Sequence, residues 1–113
     1  MAAVLKASAI VGDDVKNLNG DDLGKIEDIV IDLQSGRVAY AVVSFGGGFM
    51  RGGKFLAIPW ASLAVDQGDK KVILNVPKET LESAEGFDKD HWPDMSDAAF
   101  RTRTNGHYGV DVW

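Results

Sequence analysis

Short apolar runs separated by turn signals dominate the chain between residues 8 and 76. Apolar residues recur there at every second position, and β-branched residues cluster between Asn, Asp and Gly, which predicts short strands joined by tight turns. The segment 38–43, which reads VAYAVV, is apolar on both of its faces. Because an open sheet normally leaves one polar face toward water, we expect this segment inside a closed or covered sheet.

Further strands are predicted on both sides of this segment. Residues 26–32 alternate in polarity, but the alternation slips at Glu27 and Asp28, which predicts a bulge that bends the strand as barrels require. Asn19-Gly20 and Ser35-Gly36 are predicted to form tight turns, since glycine accepts a positive φ without a steric penalty. Later strands are predicted at residues 54–58, 64–66 and 71–76.

The pattern changes after residue 76. Pro77 suits the first turn of a helix, the residues after it favour helix and Gly86 ends it, which predicts one or two helical turns. The remaining tail is polar but rich in aromatic residues, which disordered segments lack, so we expect it to pack through these rings. A partly ordered tail is the alternative. The aromatic residues of the tail are Phe87, Trp92, Phe100, Tyr108 and Trp113.

Composition narrows the classes of function. The chain of 113 residues fits one domain, and it contains no cysteine, which excludes disulfides, thiolate nucleophiles and zinc-thiolate sites. A net charge of −5 repels phosphate backbones, so we expect no nucleic-acid partner. No run approaches the roughly 20 apolar residues that cross a bilayer, and no basic segment precedes an apolar one. We therefore expect a soluble, cytoplasmic protein without membrane insertion.

Three segments resemble the PRC-barrel family. Residues 20–28 match its G-x-x-L-G-x-I-x-D segment, and residues 32–38 match its D-x-x-x-G-x-V strand. An I-P-W corner follows at residues 58–60. The resemblance covers residues 8–76 and implies a mostly β fold, a small six-stranded barrel with a short helix. Residues 86–95 also look like the extension of single-domain bacterial members.

The resemblance implies a role in assembly. The cytoplasmic domain of the photosynthetic reaction-centre H subunit and the C-terminal domain of the ribosome maturation factor RimM are members in which the barrel is a protein-contact module. We accordingly expect a barrel domain at residues 1–84 and an aromatic-anchored extension at residues 85–113 that packs on the barrel or on a partner subunit. The matching residues shape turns and core, so the resemblance implies fold and not an enzymatic activity.

A glycine-rich segment at residues 48–55 nearly matches a phosphate-binding P-loop. Phe55 stands where a hydroxyl should hold magnesium, and a predicted strand follows where the N-terminus of a helix is needed. We therefore interpret the segment as a hairpin loop. Its apolar and cationic side chains are typical of contact surfaces, which makes Phe45, Phe49, Met50 and Arg51 candidate partner-binding residues.

Other polar groups favour structural roles. The segment 88–94 is rich in Asp, but it lacks the spacing of a calcium loop, and we interpret it as a solvated acidic turn above Trp92. Asp32 is expected to accept backbone N–H bonds in the turn that ends at Gly36, and Trp60 to plug a corner of the barrel. No nucleophile with a base and no cofactor fingerprint occurs, so we expect no catalytic residue, metal or cofactor.

Two hypotheses of function remain. The first is a non-catalytic adaptor, expected to be a homodimer, that presents the glycine-rich loop and the aromatic tail to a protein partner. The alternative is a small-molecule or metal-binding sensor in which the barrel mouth or the segment 88–94 binds the ligand. In the first hypothesis the tail adds four partner-binding residues, Trp92, Phe100, Tyr108 and Trp113.

Overall fold

The computed structural model describes residues 4–46, 53–66 and 68–110. Within these ranges the strands are β1 (Asp14–Lys16), β2 (Asp22–Asp32), β3 (Arg37–Phe45), β4 (Lys54–Pro59), β5 (Leu63–Asp66) and β6 (Lys71–Leu74). The helices are α1 (Ala7–Ile10), α2 (Lys78–Glu82) and α3 (Ala98–His107), and a 3-10 turn at Trp60–Ser62 joins β4 to β5. No helix in the described ranges is both long and apolar enough to span a membrane.

The strands form one mixed sheet in the order β4-β3-β2-β1-β6-β5, which curls into a half-barrel. β1 and β6 are parallel, and the other neighbouring strands are antiparallel. The predicted mostly β, six-stranded architecture is confirmed. β3 lies between β2 and β4, which confirms the interior position predicted for residues 38–43. The predicted bulge is also confirmed, because the β2–β3 register shifts between Ile26 and Asp28.

The turn between β2 and β3 is held by Asp32. One carboxylate oxygen accepts a bond of 3.0 Å from the Gln34 backbone N–H, and the other accepts a bond of 2.9 Å from the Ser35 hydroxyl. The hydrogen bond from Ser35, followed by that from Gln34, lowers the pKa of Asp32. The structural role predicted for Asp32 is therefore confirmed, because both of its oxygens are occupied within its own turn.

Gly24 lets β2 and β3 approach closely. Its φ is +133°, and a Cβ atom added there would overlap the backbone carbonyl of Ser44 on β3. Any other residue would push the two strands apart or distort the backbone. The close packing of β2 against β3 thus explains why the sequence motif has a glycine at position 24.

The hydrophobic core occupies both faces of β3 and β4. Leu56 and Ile58 belong to the main cluster inside the half-barrel, whereas Ala57, which points the other way, belongs to a second cluster. That second cluster contains Tyr40 of β3 and Phe100 of α3. The doubly apolar pattern of β3 is therefore explained: the half-barrel covers one face and the chain after residue 84 covers part of the other.

Helix α3 was not predicted, because the sequence indicated only that the tail packs through its aromatic rings. Its N-cap Asp97 accepts a hydrogen bond of 3.2 Å from the Ala99 backbone N–H, which supports the first turn. The helix contains Asn105, Gly106 and two threonines, which are weak helix formers, so its sequence signal is low. Contacts with the sheet, through the buried ring of Phe100, supply the stabilisation that the local sequence lacks.

The predicted short helix after Pro77 is confirmed as α2, and Lys54 holds its end. The Lys54 ammonium group donates to the backbone carbonyls of Glu82 at 3.1 Å and Ala84 at 2.6 Å. A cation is favourable there because carbonyl groups at the C-terminal end of a helix carry partial negative charge. This contact brings the chain after α2 back to the first residue of β4.

Candidate functional site

Three aromatic side chains, Phe55, Phe87 and Trp92, form a cluster beside the free edge of β4; we call it the aromatic cluster. Ring centroids lie 6.1 Å apart for Phe55 and Phe87, 6.4 Å for Phe55 and Trp92, and 5.3 Å for Phe87 and Trp92. The first two pairs meet edge to face, an arrangement that aromatic quadrupoles favour. Trp92 keeps 42% of its surface exposed, whereas both phenylalanines are half-buried.

Backbone pairing holds the aromatic cluster together. Phe55 and Phe87 exchange two hydrogen bonds, with N···O distances of 2.8 Å from Phe55 to Phe87 and 3.0 Å in return. This bridge uses part of the edge of β4 that would otherwise present unpaired groups to another chain. A groove of about 470 Å³ lies beside Phe55, and Glu27, Lys54, Asp88 and Lys89 contribute its charged side chains.

Asp88 and His91 form the turn between Phe87 and Trp92. The His91 Nδ1 and Asp88 Oδ1 atoms are 2.6 Å apart, and the same oxygen accepts a bond of 3.0 Å from the Asp90 backbone N–H. The hydrogen bond from His91 is the main cause that lowers the pKa of Asp88. The carboxylate of Asp88 thus holds the turn that presents Trp92.

The segment 88–94 also bears on the metal-sensor hypothesis. Asp94 accepts hydrogen bonds from the backbone N–H of Ser96 at 3.0 Å and from its hydroxyl group, so it holds the approach to α3. In the part of the chain that the structure describes, no group of three or more His, Cys, Asp or Glu side chains is arranged to hold a metal ion. The hydrogen bonds of Asp88 and Asp94 each hold a local turn.

Seven of the eight predicted partner-binding residues, all except Tyr108, fall into three groups. Trp92 is exposed in the aromatic cluster. Phe45 and Phe100 are each only 7% exposed and belong to the two hydrophobic clusters, so the surface of this chain does not offer their rings for contact. Phe49, Met50, Arg51 and Trp113 lie outside the described residues.

Tyr108, the remaining predicted contact residue, packs against the main cluster from the end of α3. Burial raises the pKa of its phenol, and the hydroxyl has no hydrogen-bond partner among the described residues. The neighbouring His107 ring lies 2.7 Å from the Thr80 backbone carbonyl, which ties α3 to α2. This end of α3 is thus part of the packing of the fold.

A second candidate region is an apolar cleft of about 630 Å³ between α1 and residues of the sheet. Trp60, which the sequence predicted as a plug of a barrel corner, packs against the main cluster and also lines this cleft. Two charged residues, Lys6 and Asp66, contribute to its lining. The apolar lining comes from α1, β2, β3 and β5 and includes Leu5, Ile10, Ile29, Val38 and Val65.

Sequence reasoning identified some of these residues but not their grouping. Phe87 and Trp92 stand out as aromatic residues in a polar tail. Phe55 is half-buried and directly precedes the buried Leu56 in β4. The meeting of all three depends on the bridge between Phe55 and Phe87, which joins positions 32 residues apart. The apolar cleft has no signal in the sequence, because its lining comes from short stretches far apart in the chain.

Comparison with known proteins places the half-barrel in a family. The family model described as PRC-barrel domain matches residues 3–81, which is well over half of the chain. No curated protein matches the chain. The matched region includes all six strands and nearly all of α2, and it ends before Phe87 and Trp92. Two rings of the aromatic cluster therefore come from the extension and one from the matched domain.

Proposed function

The chain belongs to the PRC-barrel family, and on that premise we propose that it is a non-catalytic protein-interaction and assembly adaptor that works as a homodimer in the cytoplasm. Membership of this family is consistent with a role as a small interaction or assembly domain. The cytoplasmic location is part of the proposal and is compatible with the absence of cysteine from the sequence. The single observation that carries the proposal is the exposed ring of Trp92, 42% accessible, on the aromatic cluster.

An exposed tryptophan on a rigid support suits a binding surface. Tryptophan, tyrosine and arginine dominate the binding energy of protein interfaces, where a few residues in a desolvated centre contribute most. The edge-to-face contact with Phe55 and the bridge at Phe87 restrain the Trp92 ring before any partner arrives. Less conformational entropy is then lost on binding, which strengthens the association for the same contact area.

A second copy of the chain is the proposed partner for this surface. In a twofold dimer the same patch meets itself, so one exposed Trp92 would bury its free area against the aromatic cluster of the other copy. Phe49, Met50 and Arg51 precede β4 in the sequence and are the expected additional contacts, together with Trp113. The surface of the dimer outside this interface would then bind a different protein.

The test compares Trp92→Ala with Leu33→Ala by size-exclusion chromatography with light scattering over a range of concentrations. Leu33 is 93% exposed on the β2–β3 turn and serves as a matched apolar control. We expect the wild type and Leu33→Ala to be dimers, and the dissociation constant of Trp92→Ala to rise at least tenfold, as for a hot-spot residue. Circular dichroism confirms that each variant folds. A wild-type chain that is monomeric at every concentration overturns the homodimer.

A pull-down from native cells tests the adaptor role separately. Wild type, Trp92→Ala and Leu33→Ala are used as bait under the same conditions. We expect one reproducible protein partner with the wild type and with Leu33→Ala, and its loss with Trp92→Ala. Equal recovery with all three baits would show that the aromatic cluster is not the contact surface.

The second candidate function is a sensor domain, and the apolar cleft is the observation that favours it in the small-molecule form. Pockets of 300 to 1,000 Å³ with mostly apolar walls are usual for small organic ligands. A metal-binding form would use the segment 88–94, where Asp88 and Asp94 already hold turns. Elemental analysis of protein purified without chelator distinguishes the two forms, since a stoichiometric metal favours the second.

A further inference from the structure

The walls of the apolar cleft are part of the hydrophobic core. Ile10 of α1 is only 2% exposed, and Ile29, Trp60 and Val65 pack against the main cluster. Closely packed neighbours restrain these side chains, so this part of the cleft wall is set by the fold, whereas Leu5, Lys6 and Ala7, which also line the cleft, are exposed. None of the three rings of the aromatic cluster lines it. The cleft is thus a partly preformed apolar site separate from the surface proposed for protein contact.

The volume of the cleft is large enough for a ligand and not only for water. About 630 Å³ lies in the range of sites that hold small organic molecules. Water molecules beside Ile29, Val38 and Trp60 form few hydrogen bonds with these side chains, so the binding of an apolar group that displaces them is favourable. This part of the cleft selects for an aliphatic chain or an aromatic ring.

The two charged residues at the cleft are not equivalent. One oxygen of Asp66 accepts bonds from the backbone N–H groups of Gly68 at 3.1 Å and Asp69 at 3.2 Å, so this carboxylate holds the turn after β5. The exposed Lys6 ammonium group has no ion-pair or hydrogen-bond partner among the residues that the structure describes. A ligand can therefore pair with Lys6 without breaking any existing contact, and an anion complements it.

We propose that the apolar cleft binds a small amphiphilic anion, a monocarboxylate whose apolar body lies against Ile29, Val38 and Trp60 and whose carboxylate meets Lys6. Burial of the apolar body provides most of the affinity. The ion pair with Lys6 is exposed and weaker, and it selects the acid over the corresponding alcohol. This inference rests on the small-molecule form of the second candidate function and does not depend on the adaptor role, because it uses different residues.

The test is a titration of the isotope-labelled full-length protein with octanoate, followed by NMR. We expect saturable shifts for the backbone amides of Ile29, Val38 and Val65 and for the indole N–H of Trp60. The uncharged probe octanol is titrated in the same way. Lys6→Gln should lower the affinity for octanoate about fivefold, the size expected for an exposed charge pair, and leave the affinity for octanol unchanged. Unchanged octanol binding shows that this variant keeps the fold.

A pair of variants on α1 tests the location. Ala7 lines the cleft and is exposed, so Ala7→Phe should place a ring in it and abolish octanoate binding without disturbing the core. Ala9 is also exposed on α1 but is absent from the lining, so Ala9→Phe should bind as the wild type does. The proposal is overturned if the shifts caused by octanoate do not saturate, or if Ala7→Phe and Ala9→Phe lose the same affinity for octanoate. It is also overturned if Lys6→Gln weakens octanol as much as it weakens octanoate.

A monocarboxylate reaches the cleft either as a free acid or as a fatty acid held in a bilayer, and a sedimentation assay distinguishes these sources. Vesicles of neutral phosphatidylcholine that contain oleate, a lipid monocarboxylate, are mixed with wild type, Ala7→Phe and Ala9→Phe. If the vesicles sediment wild type and Ala9→Phe but not Ala7→Phe, the ligand of the cleft is a lipid anion. Absence of capture, with octanoate binding intact, assigns it to a free acid. Capture that is equal for all three proteins overturns a lipid source.

Discussion

Phe100 of α3 packs edge to face against Tyr40 of β3, with the ring centroids 5.8 Å apart and the ring planes at 75°. Both rings are buried in the cluster on the outer side of the sheet. Tyr40 lies within the residues that match the family, whereas Phe100 lies beyond them. The extension thus completes the core of the matched domain through at least one ring pair, and its removal would expose part of β3.

Replacement of this ring should therefore destabilise the protein. We expect Phe100→Ala to lower the free energy of unfolding by about 3 kcal/mol, because a buried aromatic side chain is lost and a cavity remains. Urea unfolding followed by circular dichroism measures the change. Leu33→Ala, at a site 93% exposed, is the control and should stay within about 0.5 kcal/mol of the wild type. A loss below about 1 kcal/mol for Phe100→Ala would mean that α3 contributes little to the core.

The close approach at Gly24 gives a second prediction. Gly24→Ala should cost about 3 kcal/mol or more, because the new methyl group overlaps the Ser44 carbonyl and forces two paired strands apart. Gly36 is a matched control, since its φ is also positive, at +76°, but a Cβ atom there meets nothing within 4 Å. Gly36→Ala should cost only the backbone strain of about 1 to 2 kcal/mol. Similar losses of unfolding free energy in both variants would contradict the steric explanation.

The two tyrosines predict a loss of stability at alkaline pH. Burial raises the pKa of both Tyr40 and Tyr108 above the ordinary value of 10.0. Below that value both phenols are neutral whether the chain is folded or unfolded, so the stability is fully present. Above it the unfolded chain releases protons that the folded chain retains, and the free energy of unfolding falls as the pH rises.

Tyr108→Phe isolates one of these groups. The variant removes a buried hydroxyl that has no partner among the described residues, so its stability at about pH 8 should equal or exceed that of the wild type. Between about pH 8 and about pH 11 the variant should lose less stability than the wild type. Urea unfolding at the two pH values measures both effects. An equal loss would show that Tyr108 ionises in the folded chain.

The sequence allowed several features of the sheet to be predicted from local rules. Alternation of polarity located five of the six described strands and missed β1, the slip at Glu27 and Asp28 located the bulge, and the doubly apolar residues 38–43 placed β3 in the interior. Asp32 was also interpreted correctly, since the turn it holds spans only the next few residues. Such features depend on neighbours in the chain, which a sequence displays directly.

Among the candidate site residues, Trp92 and Phe87 stood out for the same reason: they are aromatic residues in a polar segment. Their roles were not evident. Phe45 and Phe100 belong to the same residue class and were predicted as contacts, but they are buried within the chain. Aromatic residues serve cores and interfaces alike, so composition cannot distinguish the two uses.

The sequence by itself thus determined most of the strands, the turn at Asp32 and the bulge in β2, because periodicity and turn chemistry act over a few residues. Tertiary structure alone decided that a weak helix forms at residues 98–107, that Phe87 pairs with Phe55, and that an apolar cleft opens beside Trp60. The physical reason is common to all three. Each arises where segments distant in the chain meet, and the burial gained there outweighs the local preferences of either segment.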